Sequence, residues 1–198
     1  VALRMDASNH EAQSELTAML QGLASTSPLI RVEESGSTST APSFEILHEG
    51  KATGIRFRGV PGGHEFTSLI LSILYADGKG KLPDEGIIAR IRALKGPVRL
   101  KTYMSLSCEN CPEVVQALNL MASLHPDFAN ETIDGAVAQD EIEALKLQGV
   151  PAVVADGKLL HSGKISLADL LAKLESAFGK SESLAPRDLG TFVVAVIG

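Results

Sequence analysis

The chain contains two cysteines, and they stand three positions apart in the run Cys108-Glu109-Asn110-Cys111. The stretch 98–104 before them is β-rich, and the stretch 111–124 that follows has the apolar spacing of a helix. Such a pair at a strand-to-helix turn has the geometry of a reversible dithiol and disulfide. The helix N-terminus favours the thiolate of the first cysteine, and the thiolate is the attacking species in disulfide exchange. The second sulfur, about one helical turn away, can then close the disulfide.

Two other uses of the cysteine pair are weaker. Zinc usually takes four ligands, but the sequence has no second cysteine pair, and its five histidines form no His-x₃₋₅-His pair. A purely structural disulfide that closes so short a loop removes little entropy from the unfolded chain, so it would stabilise a domain of this size poorly. The spacing therefore favours a redox dithiol.

Composition narrows the class of protein. The chain has 198 residues, 44% of them hydrophobic and 21% charged, as in an ordinary globular protein with a substantial core. A net charge of −6 argues against binding to the nucleic-acid backbone. No apolar run approaches the roughly 20 residues of a membrane span, and no signal segment opens the chain. Two cysteines in redox spacing, without further disulfides, predict a protein of the reducing cytoplasm.

The second half of the chain gives the clearer succession of elements. Its order is β-α-β-α-β-β-α, with the last helix capped by Ser166. The predicted strands cover residues 98–105, 128–134, 150–155 and 158–161, and the predicted helices cover 111–124, 139–147 and the segment after Ser166.

The first half repeats this order more faintly. Its predicted strands are 1–5, 29–33, 42–47 and 54–58, its helices are 9–23 and 65–75, and a polar loop at 35–41 replaces one helix. Aligning the two halves places Asn9 and Ala12 where Cys108 and Cys111 stand. Two unrelated small α/β halves remain an alternative interpretation.

The sequence thus predicts an α/β protein made of two tandem copies of one fold, packed as one unit. The first copy covers residues 1–78 and has no redox cysteines, and the second covers 79–179 and carries the dithiol. Residues 180–198 are expected to form a linker and the start of an FAD-binding strand whose remainder is missing, because an apolar β run that ends in glycine is typical of such a strand.

A β-α-β unit with Cys-x-x-Cys and a later Val150-Pro151 resembles thioredoxin. The stretch 107–119 is more similar to the N-terminal domain of the bacterial alkyl hydroperoxide reductase flavoprotein. Further matching stretches are Gly63-His64-Glu65-Phe66-Thr67-Ser68-Leu69, Thr132-Ile133-Asp134-Gly135 and Gly149-Val150-Pro151-Ala152-Val153. The resemblance covers essentially the whole chain and implies two fused thioredoxin-like folds with one active dithiol.

The resemblance also implies a place in electron transfer. In that family electrons pass from NADH through FAD and a second dithiol to this N-terminal dithiol, and then to the disulfide of a peroxiredoxin that removes peroxides. No cofactor is expected in this chain. FAD and NADH belong to a C-terminal reductase portion that should follow Gly198. The partners implied are the peroxiredoxin component of alkyl hydroperoxide reductase and that reductase portion, in a homodimeric parent, with no nucleic acid and no membrane.

Roles follow for the residues around the cysteines. Cys108 is the predicted attacking thiol and Cys111 the resolving one, while Glu109 and Asn110 tune redox potential and partner fit. Pro112 suits the first turn of a helix, where its missing N–H does no harm. The resemblance implies that Pro151, if its peptide bond is cis, leaves the backbone of Val150 free to pair with a partner strand.

Glu65 begins an apolar helix in the first half. From the residues alone it could be a first-turn acid that the helix dipole favours. The resemblance implies that this glutamate lies close to the dithiol of the second fold and serves as proton donor and acceptor, which disulfide exchange requires. His64 is expected to be a neighbour or a cap.

Two further functions remain open at this point. The chain could be a thioredoxin-like binding module whose dithiol is idle, in which case the dithiol would be inert toward disulfides. It could also be a stand-alone, glutaredoxin-like protein disulfide oxidoreductase, which activity with glutathione or with a thioredoxin reductase would reveal.

Overall fold

A computed structural model describes residues 1–181 of the chain. The strands are β1 (Ala2–Ala7), β2 (Arg31–Thr38), β3 (Ser43–His48), β4 (Lys51–Arg58), β5 (Val98–Met104), β6 (Phe128–Asp134), β7 (Ala152–Ala155) and β8 (Lys158–Ser162). The helices are α1 (Gln13–Ser25), α2 (Phe66–Ala76), α3 (Glu85–Arg92), α4 (Cys111–Leu124), α5 (Gln139–Ala144) and α6 (Leu167–Phe178), with short 3-10 helices at Gly63–Glu65 and Gly135–Val137.

All eight strands lie in one mixed sheet, in the order β2-β1-β3-β4-β6-β5-β7-β8. Each half contributes four neighbouring strands, and the two sets have the same internal order. The halves join where β4 runs parallel to β6, with Ile55 opposite Asn130 and Arg58 opposite Ile133. The two folds therefore share one continuous sheet.

The two halves also match in detail. Pro42 and Pro151 each precede the third strand of their half, and each proline carbonyl accepts a hydrogen bond from a glycine N–H. Gly59 N–H donates to Pro42 O at 2.7 Å, and Gly163 N–H donates to Pro151 O at 2.8 Å. The prediction of two copies of one fold is confirmed, and the alternative of two unrelated halves is wrong. The boundaries at residues 78 and 179 stay a prediction.

The structure corrects two boundaries in the first half. The segment 35–41 was expected to be a loop, but β2 continues to Thr38 because it pairs with β1 across a bulge and Ser35 Oγ donates to the Asp6 carboxylate at 2.5 Å. The first helix begins at Gln13 rather than at Asn9. His10 Nδ1 accepts the N–H of Ala12 at 3.1 Å, and this bond belongs to the turn that precedes the helix.

A large apolar core packs five helices, α1 to α4 and α6, against the sheet. A smaller apolar cluster lies around Tyr103, beneath the short helix α5 of the second half. Both cores are mostly aliphatic, which agrees with an aromatic content of 4%. The helices α2 and α4 come from different halves and pack on each other, so the folds are joined by helices as well as by strands.

The chain's last described residues return to the start of the second half. Lys180 bridges to Leu94, and Ser181 N–H donates to Ala93 O at 2.8 Å. The predicted linker and nucleotide-binding strand otherwise lie outside the described residues. Within residues 1–181, none of the helices has both the length and the apolar character needed to cross a bilayer.

Candidate active site

The cysteine pair lies between the end of β5 and the start of α4, as the spacing predicted. Cys108 and Cys111 form a disulfide, with their Cα atoms 5.5 Å apart. Cys108 is half-buried, whereas Cys111 is fully buried as the first residue of α4. Only the first sulfur is therefore open to an incoming thiol, in agreement with its predicted role.

The start of α4 can stabilise a thiolate on Cys108. Within the described chain, the N-cap residue Asn110 supplies no side-chain hydrogen bond to the first turn, and Pro112 has no N–H of its own. The positive end of the helix dipole is thus left uncapped beside the sulfur, which favours its ionised form. Glu113 adds a negative charge in the first turn, and Lys164 lies 3.4 Å from its carboxylate.

The loop that carries the cysteines is a pair of tight turns. Cys108 N–H donates to Ser105 O at 3.0 Å, and Cys111 N–H donates to Cys108 O at 3.4 Å. The turns leave Glu109 and Asn110 exposed between the sulfurs. Any partner that reaches Cys108 must approach these two side chains.

A second backbone segment lies beside the outer sulfur. The Val150-Pro151 peptide bond is cis, and Val150 O lies 3.8 Å from Cys108 Sγ. Pro151 is buried, whereas Val150 is half-buried. The structure thus brings Val150, predicted to bind the partner, next to the reactive sulfur.

Glu65 ends the 3-10 helix that precedes α2, and its side chain is fully buried. Neither carboxylate oxygen has a hydrogen-bond partner among the residues that the structure describes. Burial raises the pKa of Glu65 to about 7, and the nearby Ser68 hydroxyl opposes this rise only in part. A carboxyl that titrates near neutral pH can both give and take a proton under physiological conditions.

The turn that carries Glu65 contacts the cysteine loop of the other half. His64 N–H donates to Leu106 O at 3.2 Å, two residues before Cys108. Gly63 has φ +52°, and a Cβ there would lie 2.7 Å from Leu106 O, so this close approach requires glycine. The same turn packs against α4. A first-turn acid that served only the helix dipole would not need complete burial, so this geometry favours the acid–base role, which stays a prediction.

A row of buried polar side chains continues from Glu65 along the contact between α2 and α4. Ser68 and Ser72 on α2 meet Gln116 and Asn119 on α4, and Asn119 Oδ1 accepts from Asn130 Nδ2 at 2.8 Å. Sequence reasoning did not single out these residues. The signal was present: two serines four positions apart interrupt an otherwise apolar helix.

A cavity of about 660 Å³ lies on the opposite side of the second fold, beside α5. Neither cysteine lines it. Its charged groups are engaged with one another: Arg58, which is not itself a lining residue, and Lys101 both contact the Glu141 carboxylate, and Tyr103 Oη donates to it at 2.6 Å. We therefore place the chemistry at the disulfide.

Comparison with known proteins agrees with the geometry. The thioredoxin domain family profile matches residues 98–176. The chain is 40% identical over 186 residues to the alkyl hydroperoxide reductase flavoprotein AhpF of Pseudomonas aeruginosa, a match that covers 93% of this chain and 35% of that protein. It is 37% identical over 198 residues to a protein of Bacillus subtilis named NADH dehydrogenase, covering 38% of it. The chain thus spans about a third of the length of these relatives.

Solved structures give the same result. The N-terminal domain of the alkyl hydroperoxide reductase AhpF of Enterococcus faecalis superposes with a TM-score of 0.82 and 27% identity, covering 87% of this chain and 89% of that one. A protein disulfide oxidoreductase from Aeropyrum pernix shares the fold, with a TM-score of 0.78 and 20% identity over 92% of this chain and 88% of that one. The predicted tandem thioredoxin-like fold is confirmed.

Proposed function

We propose that this chain, which is homologous to the N-terminal region of the alkyl hydroperoxide reductase AhpF, carries electron pairs between a reductase and a protein disulfide. The observation that carries the proposal is the asymmetry of the dithiol. One sulfur is accessible at an uncapped helix end, the other is buried behind it, and a neutral-range carboxyl enters the same region from the other fold.

The reaction balances within the dithiol. Reduction of the Cys108–Cys111 disulfide takes up two electrons and two protons. The Cys108 thiolate then attacks a disulfide sulfur of the partner, a mixed disulfide forms, and one partner thiol leaves. Cys111 attacks the Cys108 sulfur, which restores the internal disulfide and releases the second partner thiol.

Proton transfer limits this exchange at the buried sulfur. Cys111 is inaccessible to water in the described structure, so its proton must pass to a nearby group before it can attack. Glu65 is the candidate, because it is itself buried and titrates near neutral pH. Val150, Glu109 and Asn110 border the accessible sulfur and are the groups that a docked partner would contact.

The donor and the acceptor follow from the family. The acceptor would be a peroxiredoxin disulfide, and the donor a portion of the polypeptide that binds FAD and NADH and bears a second dithiol, in a homodimeric, cytoplasmic parent. The family name in the curated relatives supports this assignment. This chain supplies the disulfide-exchanging part.

Transfer to a peroxiredoxin tests the proposal. The chain is first reduced with dithiothreitol, and thiol titration should show a gain of two thiols per molecule. After removal of the reductant, mixing with an oxidised peroxiredoxin should consume both thiols and reduce the peroxiredoxin disulfide. The Cys108→Ser, Cys111→Ser double variant is the matched control.

Other outcomes would overturn it. A dithiol that cannot be reduced, or that is inert toward every disulfide, would make the chain a binding module. Rapid exchange with glutathione or thioredoxin reductase, and none with a peroxiredoxin, would make it a stand-alone disulfide oxidoreductase.

A further inference from the structure

Two buried serines, one turn apart on α2, each accept a hydrogen bond from a side-chain amide on α4. Gln116 Nε2 donates to Ser68 Oγ at 3.2 Å, and Asn119 Nδ2 donates to Ser72 Oγ at 3.0 Å. Both serines are fully buried. The two contacts are therefore a matched pair, and they differ in what the hydroxyl hydrogen does.

The hydroxyl hydrogen of Ser72 is committed, because it donates to Ser68 O at 2.7 Å. Ser68 Oγ acts only as an acceptor in the described part of the chain. Its hydroxyl lies three residues after Glu65, on the same side of the helix, and both oxygens of Glu65 lack partners within residues 1–181. A buried hydroxyl without an acceptor is costly, so this hydrogen is available to the carboxylate.

We propose that Ser68 and Gln116 form a positioning pair for Glu65. Gln116 holds the Ser68 oxygen, and Ser68 offers its hydrogen to the Glu65 carboxylate when that group ionises. The pair thereby sets the pH range in which Glu65 can exchange protons with the dithiol. The link to the dithiol rests on the proposed function, whereas the effect on Glu65 does not.

Few other groups can act on Glu65. The elements packed against its turn present the Cys108–Cys111 disulfide, which carries no charge, and Glu113, whose carboxylate lies 3.4 Å from Lys164. His64 is its neighbour in the same turn. Burial is the larger influence on the pKa of Glu65 and raises it, and the Ser68 hydroxyl is the influence that lowers it. Loss of Ser68 should therefore be felt directly at this carboxyl.

Titration of the carboxyl tests the pair in the oxidised chain. The side-chain carboxyl carbons are followed by NMR from pH 4 to 10, with Glu65→Gln to assign the Glu65 signal. Ser68→Ala should move the Glu65 midpoint up by about one pH unit, because a hydrogen bond to the charged form is lost. Gln116→Leu should move it in the same direction by a smaller amount.

Ser72→Ala is the matched control, since it removes an equivalent hydroxyl one turn away and should leave the Glu65 midpoint in place. Ser68→Thr keeps a hydroxyl and should restore the wild-type midpoint. If Ser68→Ala fails to fold, Gln116→Leu still decides the question, because Gln116 is only half-buried. An unchanged midpoint in the Ser68 or Gln116 variants, or an equal shift in Ser72→Ala, would overturn the proposal.

The pH dependence of the chain's reduction by dithiothreitol, taken relative to Glu65→Gln, gives a second readout. Its midpoint should move with the NMR midpoint in Ser68→Ala. An NMR shift with no movement of the rate profile would refute the link to the dithiol. Failure to reduce a peroxiredoxin would count against the proposed function alone and would leave the effect on Glu65 standing.

Discussion

The two halves of the molecule have the same strand order but different surroundings at corresponding positions. In the second half, the turn before α4 holds the disulfide. In the first half, the corresponding turn holds Asn9 and Ala12, and it is closed by a bond from Ala12 N–H to His10 Nδ1. The second half covers the far face of its sheet with α5, whereas the described chain passes from β2 to β3 in the first half without a helix.

The uncovered face of the first half is held by charges. Burial would raise the pKa of Asp6, but hydrogen bonds from Ser35, Arg56 and Ser43 outweigh it and lower the pKa. Arg4 and Glu45 pair beside them at 2.6 Å. The first half thus has no redox pair of its own and yet contributes the buried acid next to the redox centre of the second.

The largest effects should come from the cysteines, which only the second half possesses. Cys108→Ser should reduce electron transfer to a disulfide substrate to background. Cys111→Ser should instead accumulate a mixed disulfide with the partner, because Cys108 can attack but nothing resolves the product. Non-reducing gel electrophoresis measures the trapped species. Trapping by the opposite variant would reverse the two roles.

The next effect concerns the acid contributed by the first half. Glu65→Gln should slow disulfide exchange roughly 10-fold or more, since a positioned acid or base contributes at least that much. In the oxidised chain Glu65 is protonated below about pH 7 and can donate, so the ratio of wild-type to variant reduction rates should be largest below pH 7 and fall above it. Stopped-flow rates across pH measure this ratio, and a constant ratio would reduce Glu65 to a structural residue.

The same residue should leave a stability signature of opposite sign. The folded pKa of about 7 lies above the ordinary value of 4.5, so the native state holds this proton more tightly than the unfolded state. Its contribution to stability is present below about pH 4.5 and is lost as pH rises through 7. Glu65→Gln should therefore unfold at higher temperature than the wild type at pH 8 but not at pH 4.5, as measured by calorimetry. Equal differences at both pH values would contradict a pKa raised by burial.

A smaller effect is expected where the halves meet on the far face of the sheet. Arg58 of β4 binds Glu141 of α5, and hydrogen bonds from Arg58, Tyr103 and Lys101 lower the pKa of Glu141 to about 2. Glu141→Gln should cost roughly 1–3 kcal/mol at pH 7, because Arg58 is largely buried. The depressed pKa means that this difference is present above pH 4.5 and shrinks as pH falls toward 2. Denaturant unfolding at several pH values checks it.

The smallest effect should come from the exposed pair within the first half. Arg4 and Glu45 keep 37% and 25% of their side-chain surface accessible. Glu45→Gln should change the unfolding free energy by less than about 1 kcal/mol, and added salt should reduce the difference further. A larger loss than in Glu141→Gln would show that the open face matters more to stability than the junction between the halves.

The sequence predicts the parts of the fold whose local signals agree with their packing. The helix 111–124 is right to the residue, because apolar spacing, a proline in its first turn and His125-Pro126 at its end all agree. The strand at 128–134 is equally accurate. Local signals failed at Ser35-Gly36-Ser37, whose weak strand preference is overridden by pairing with β1.

The site divides in the same way. Cys108 and Cys111 could be found because their spacing is itself the chemical signal. Glu65 came from the resemblance to a family, since an acid at a helix start has an ordinary explanation. The cis bond before Pro151 and the contacts of Ser68 and Ser72 with α4 depend on how separate elements meet, which no local pattern specifies.

The parallel pairing of β4 with β6 has a consequence for inheritance and for engineering. Each of these strands is internal to the sheet only because the other fold is present. A recombination event or a truncation between the folds would leave each product with an open strand edge, and such edges pair with those of other molecules. The half without cysteines therefore cannot be discarded as redundant, because it shields its neighbour from aggregation.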